Sequence, residues 1–129
     1  MEKSGSGLTL DSGALIAWER ADRFVLGLFK ATRPHMSRLT VPALVLAETW
    51  RGNSRRIARL LGGCIADDFD WTRARAVGEL LARSRTKDVV DAAVVLGALG
   101  RGDAIVTSDP DDMHRLLQAA GAKAIVVPV

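Results

Sequence analysis

Acidic residues fall at four separated places in this 129-residue sequence: Asp11, Glu48, the pair Asp88 and Asp91, and Asp109. Each stands where an apolar strand pattern ends or where a helix pattern presents one face. Carboxylate oxygens suit hard cations such as Mg2+ or Mn2+. A cation held this way activates water and offsets charge on a phosphoryl group without any nucleophilic side chain. The layout therefore predicts a divalent-metal pocket, with metal-dependent cleavage of a phosphodiester as the leading reading.

Every one of these acids also has a plainer use. Asp11 before "SGALI", Asp88 before "VVDAA" and Asp109 before Pro110 stand at helix N-cap positions. Asp91 and Asp112 fall at the third helical position, where a carboxylate offsets unpaired N–H groups. Glu48 does not fit that use, because it lies mid-helix in the apolar stretch "LVLAETW". A buried, unpaired carboxylate there is costly, so its plain alternatives are an ion pair with Arg51 or an exposed position. A non-catalytic binding or regulatory module whose acids are only caps is the rival reading.

The elements that must position these residues alternate between strand and helix patterns. "GLTL" (Gly7 to Leu10) reads as a strand closed by Asp11, with a helix starting in "SGALIAWER". A second helix is predicted over Ala21 to Ala31, with Phe24, Val25, Leu28 and Phe29 as its apolar stripe. "RLTV" is the next strand, and Pro42 suits the first turn of the helix that carries Glu48 and ends at Gly52. "NSRRIARLL" is a short basic helix stopped by Gly62 and Gly63. A strand near Cys64 to Ala66, helices from Asp70 to Arg83 and Asp88 to Leu99, the strand "AIVT", a helix from Pro110 to Ala120 and a last strand "AIVV" complete the pattern.

Such alternation implies an α/β fold, a three-layer α/β/α arrangement with a central parallel sheet. In parallel sheets ligand sites form outside the carboxyl ends of the strands. Asp11 and Asp109 both follow strands and would share that edge. Asp88 and Asp91, three apart at a helix start, lie on one side. Carboxylates that converge in this way repel one another unless a cation neutralises them. Residues 1–6, "MEKSGS", read as a flexible leader or expression remnant, and residues 7–129 as one domain.

Charge points to a polyanionic substrate. Eighteen Lys and Arg face fifteen Asp and Glu, a net charge of +3. If five acids gather in one pocket, eighteen cations and ten acids remain outside it, a basic rim around an acidic centre. Arg51, Arg55 and Arg56 are candidates to contact phosphate through the planar guanidinium fork. At 48% hydrophobic the chain is globular, and its apolar runs are too short to span a bilayer, so a cytoplasmic protein with no membrane partner is expected. The single Cys64 reads as an inert thiol in apolar surroundings. Neither histidine, His35 or His114, has ligand spacing. Trp18, Trp50 and Trp71 read as core or interface anchors. "LGGC" lacks the Lys and Ser/Thr of a phosphate loop, and no Ser-His-Asp or Cys-His arrangement is evident.

Four segments, "LTLDSGALIA", "VPALVLAETWRG", "DVVDAAVVLGA" and "IVTSDPDDMHRLL", in that order and at those separations, resemble the PIN-domain ribonucleases, most closely the VapC-like toxins of bacterial toxin–antitoxin pairs. The resemblance spans residues 7 to 129. It implies a compact α/β/α fold, Mg2+- or Mn2+-dependent cleavage of RNA, a cognate antitoxin that restrains it, and a homodimer. It also implies that Asp11, Glu48, Asp91 and Asp109 are the catalytic acids, with Asp11, Asp91 and Asp109 as metal ligands. Thr107 matches a hydroxyl residue that orients an acid or a water, while Asp88 and Asp112 are auxiliary.

Overall fold

The computed structural model describes residues 7–32 and 38–129. The predicted leader at residues 1–6 and His35 lie outside them. Five strands, β1 (Leu8–Leu10), β2 (Leu39–Pro42), β3 (Ile65–Asp67), β4 (Ala104–Thr107) and β5 (Val126–Pro128), form one sheet in the order β3-β2-β1-β4-β5. All neighbours run parallel, and Leu8 pairs with Leu39 on one side and Ala104 on the other. The chain lays β1, β2 and β3 outward in one direction, then returns to place β4 against β1. The switch point of the topology, where α/β folds open a crevice for ligands, therefore lies between β1 and β4.

Among the described residues seven helices cover the sheet: α1 (Ser12–Glu19), α2 (Arg23–Thr32), α3 (Ala43–Thr49), α4 (Arg55–Leu61), α5 (Trp71–Ser84), α6 (Val89–Arg101) and α7 (Pro110–Ala120). Helices α2, α3 and α4 group around α1 on one face, and α5, α6 and α7 pack together on the other. These are the layers expected of an α/β/α fold. Helix α6 lies across β1, β2 and β4, and Ala92, Ala93, Val94, Val95 and Ala98 are buried around much of its circumference. Small and β-branched side chains let this helix lie close to the sheet. The core continues through Leu10, Leu15, Val45, Leu80, Ile105 and Met113, each of which is fully enclosed. Burial of a Leu or Val side chain of this kind stabilises by roughly 1.5–3 kcal/mol.

Several boundaries differ from the sequence expectation for local reasons. Pro42 ends β2 and stands at the N-cap of α3, because its ψ of 143° keeps it extended and in register with Asp67. Helix α2 begins at Arg23 rather than Ala21: Ala21 takes a left-handed φ of 59°, which breaks the path from α1, and the Asp22 carboxylate then caps Val25 N–H at 3.0 Å. That phase turns Phe24 outward, 55% exposed, so the stripe facing the core is Val25 and Phe29, with Leu28 half-buried beside them.

Under the last turns of α6 lies a charged network that the sequence pattern did not announce. Arg101 donates to Asp67 at 2.8 Å, to Asp103 at 3.0 Å and to the Thr9 hydroxyl at 2.8 Å, and Thr9 in turn donates to Asp103 at 2.8 Å. Arg73 of α5 adds a second contact to Asp67 at 3.1 Å. Burial alone pushes the Asp67 carboxyl up, but hydrogen bonds and charge from Arg101 and Arg73 outweigh it and hold the pKa below its ordinary value. Gly97 of α6 makes room for these groups, since a Cβ there would overlap the Asp67 carboxylate.

Candidate functional site

The acids meet at the switch point. Asp11 follows β1, is 3% exposed, and caps α1 by accepting Ala14 N–H at 2.9 Å, while its own N–H donates to Val106 O of β4 at 3.0 Å. Its carboxyl is pushed up by burial, pulled back by the Thr107 hydroxyl and the Ala14 and Ser108 N–H groups, and raised again by the charge of Asp109. Gly13 keeps this corner tight, because a Cβ at that position would overlap the Ser108 side chain in the β4–α7 turn.

Asp109 occupies the N-cap position of α7 yet makes no side-chain cap bond. The Thr107 hydroxyl accepts the Asp109 N–H at 2.8 Å, which turns the chain after β4 and leaves the exposed carboxylate of Asp109 available. Thr107 thus braces Asp109 and abuts Asp11. On α6 the two acids divide the work: Asp88 caps the helix by accepting Asp91 N–H at 2.9 Å, and Asp91 at the third position is left to face the other acids. Its carboxyl is pushed up to about 7, first by burial and then by the charges of Asp88, Asp11, Asp109 and Asp112. That set of neighbours is itself the geometry: residues from three separate helix starts act on one carboxyl group.

Glu48 joins from α3, which touches both α1 and α6. It is exposed, and Ser12 donates its hydroxyl to Glu48 Oε1 at the start of α1, one residue from Asp11. No ion pair forms between Glu48 and Arg51 among the described residues. Instead Arg51 Nη1 donates to the carbonyls of Ala47 and Trp50 at the end of its own helix. Arg56 is also engaged elsewhere, with its guanidinium 5.3 Å from the Trp18 ring and its Nε donating to Trp18 O at 3.1 Å. Arg55 is exposed at the first turn of α4. Asp112 lies one turn into α7 beside Arg115 at 3.4 Å, in a cleft shared with Asp88 and Asp91.

The sequence-predicted acids are therefore gathered at one edge of the sheet, and the predicted phosphate-binding arginines are not drawn to them. As placed, no three acidic, His or Cys side chains among the described residues close on a common point that would hold an ion. The donor set is nonetheless all carboxylate and hydroxyl oxygen, the chemistry of Mg2+ and Mn2+. Asp91 is pushed up first by burial and then by four neighbouring acids, a balance that a bound cation would reverse. Residues of the types present fit a hard divalent cation.

A second feature lies on the other helical layer. Trp18, Leu26, Phe29, Leu39 and Leu60 line a groove of about 480 Å3 between α1, α2 and α4, rimmed by Arg56 and Arg59. Trp18 stacks on Phe29 with ring centres 5.4 Å apart and donates its indole N–H to Arg56 O. Trp50, 37% exposed, does not line it, and Trp71 at the start of α5 is 81% exposed. His114 is exposed on α7, away from any ligand cluster. Burial pushes the Cys64 thiol up to about 11, as expected of an unreactive cysteine.

No family model matches the chain, and no curated protein sequence matches it. Among solved structures it is similar to a chain in the crystal structure of VapBC2 from Rickettsia felis bound to a DNA fragment from their promoter. The TM-score is 0.70 at 15% identity, over 95% of this chain and 98% of that one. At such identity the likeness is one of fold, and it shows a PIN-like three-layer α/β/α architecture. No helix among the described residues is long and apolar enough to cross a membrane.

Proposed function

We propose that this protein is a metal-dependent endoribonuclease that acts as the toxin of a toxin–antitoxin pair in the cytoplasm. The observation that carries the reading is the set of carboxylates at the β1/β4 switch point, where Asp91 is raised to about 7 by burial and its acidic neighbours. Helix capping accounts for Asp11 and Asp88, whose carboxylates accept N–H bonds. It does not account for Asp91, or for Asp109, whose side chain caps nothing.

Asp11, Asp91 and Asp109 are the residues to hold Mg2+ or Mn2+, with Glu48 completing the acid set and Asp88 and Asp112 assisting from the rim. When bound, such an ion lowers the pKa of a water and offsets charge on a phosphodiester. The chain's own groups do the positioning. Thr107 fixes the turn that presents Asp109, Ser12 orients Glu48, and the buried Asp11, held by Ala14 N–H, keeps one carboxylate fixed beside the reacting phosphate. Arg51, Arg55 and Arg56 remain proposed RNA contacts at the periphery.

The similar VapBC2 structure supports a protein partner. An antitoxin helix with apolar side chains fits the Trp18–Phe29–Leu60 groove, and a homodimer is the proposed assembly. Cleavage of RNA with Mg2+ or Mn2+, its loss in EDTA, and its loss in Asp11→Asn test the enzyme reading. Cleavage that persists in EDTA would overturn it. The rival, a non-catalytic module, draws on the two carboxylates that do cap helices and on side chains that do not close on one point. Absence of binding in a calorimetric titration with millimolar Mg2+ and Mn2+ would favour that rival.

A further inference from the structure

We infer that Lys87 and Arg115 hold the backbone phosphate that flanks the cleaved bond of a single-stranded RNA. This rests on the nuclease reading above, and it names cations that neither sequence spacing nor the fold comparison assigns. A cleft of about 130 Å3 opens between the α5–α6 turn and the first turns of α6 and α7, lined by Thr86, Lys87, Asp88, Asp91, Asp112 and Arg115. Asp91, one of the acids at the switch point, forms part of its wall.

A phosphate approaching three carboxylates is repelled unless cations face it, and a lysine point charge beside an arginine fork is the chemistry that offsets it. Both cations are available. Arg115 has one partner among the described residues, Asp112 at 3.4 Å, and the two side chains are 59% and 54% exposed. A pair so exposed contributes little to folding and leaves most of the guanidinium donors free. Lys87 is exposed and makes no ion pair among the described residues. Four other arginines are already engaged: Arg73 and Arg101 by Asp67 and Asp103, Arg56 by Trp18, Arg51 by its own helix carbonyls. A second cleft, next to the α1 start and lined by Gly13, Ile16, Ala17, Ser108, Arg20 and Asp22, has one cation. Lys87 and Arg115 are the cations that share a cleft with Asp91.

Binding of a single-stranded oligoribonucleotide is measured by fluorescence anisotropy over a range of salt, in an Asp11→Asn background that leaves the strand uncut. Removing one cation that neutralises a phosphate flattens the dependence of log Kd on log salt by about 0.7. Lys87→Met and Arg115→Met are each expected to weaken binding by about three- to tenfold and to flatten the slope by that amount. Arg115→Lys, which keeps the charge, restores the slope. In the otherwise native enzyme both Met variants raise KM and leave kcat within about threefold, as removal of ground-state binding should. Lys30→Met, on α2, serves as the control and leaves the slope unchanged. Unaltered slope and affinity in both Met variants, with the native protein still cutting RNA, overturn this inference alone. A native protein that neither binds nor cuts RNA overturns it together with the nuclease reading.

Discussion

The two ends of helix α6 treat aspartate in opposite ways. At its last turns Asp67 and Asp103 are closed in by Arg101, Arg73 and Thr9, and the Asp67 pKa is pulled down. At its first turn Asp91 stands among four other acids with no ion pair among the described residues, and its pKa is pushed up to about 7. Burial opposes ionisation in both places. The outcome is decided by whether the chain supplies its own cation. Where it does, the acid becomes a cross-link between α5, α6 and three strands. Where it does not, the unspent electrostatic energy is available to a ligand, which is how a functional site differs from a structural one of the same residue types.

The contrast between the two ends is broken most sharply by substitution at the α6 start. Asp91→Asn is expected to lower RNA cleavage by about a thousandfold or more, an effect of roughly 4 kcal/mol on the barrier. The same change should raise the thermal midpoint of the metal-free protein, because it removes repulsion. Turnover assays beside differential scanning calorimetry check both halves, and normal cleavage by this variant would sink the site assignment. At the other end, Arg101→Met should do the reverse. Removal of the cation leaves Asp67 and Asp103 buried without their partner, at a cost of about 3 kcal/mol by urea denaturation. The effect on kcat in the folded fraction should be slight.

Acid titration gives the two ends opposite slopes. Asp91 binds a proton in the folded state that the unfolded chain releases between its ordinary value of 3.8 and about 7. The metal-free protein should therefore lose on the order of 2 kcal/mol as pH rises from 5 to 8, and Asp91→Asn or saturating Mg2+ should flatten that loss. Asp67 acts the other way: its contribution is present above its unfolded pKa and disappears as pH falls through the lowered folded value. Urea midpoints across pH 3 to 8 measure both limbs, and a profile that rises steadily through pH 5 to 8 contradicts the account of Asp91. Smallest is Gly97→Ala. The new methyl crowds Asp67, Arg73 and Arg101, and the gain in helix propensity offsets part of that strain. A net loss of about 1 kcal/mol in stability is expected, with cleavage in the folded protein unchanged within about twofold.

The acid end was legible in the sequence because its residues carry local marks. Asp11 and Asp109 follow apolar strands, Asp88 and Asp91 open an apolar helix, and parallel topology brings such positions to one edge. Which acid caps and which stays free was not legible. Asp109 looks like a cap, and only the Thr107 bond to its N–H shows why its side chain is released. The paired end left almost no local trace, since Arg101 reaches Thr9 and Asp67 across 92 and 34 positions. One signal was available: Asp103 directly before the fully buried strand "AIVT" has to find a partner. The start of α2 at Arg23 rather than Ala21 was not legible for a similar reason, because the left-handed backbone at Ala21 has no marker such as glycine. The arginines chosen from "RGNSRR" fell on helix ends and on Trp18, where charge spacing along the chain says nothing about distance across it.

The strand order also sets when the site can exist at all. Asp11 is made early, but the strand that lies against β1 at the switch point is β4, whose Ala104 pairs with Leu8. A nascent chain that has emerged only through α5 holds Asp11 and Glu48 with neither Asp91 nor Asp109 beside them. At a synthesis rate of roughly 5–20 residues per second, the remaining acids follow within seconds. On the nuclease reading, a fragment ending before β4 lacks both the strand beside β1 and Asp109, and it should not cleave RNA.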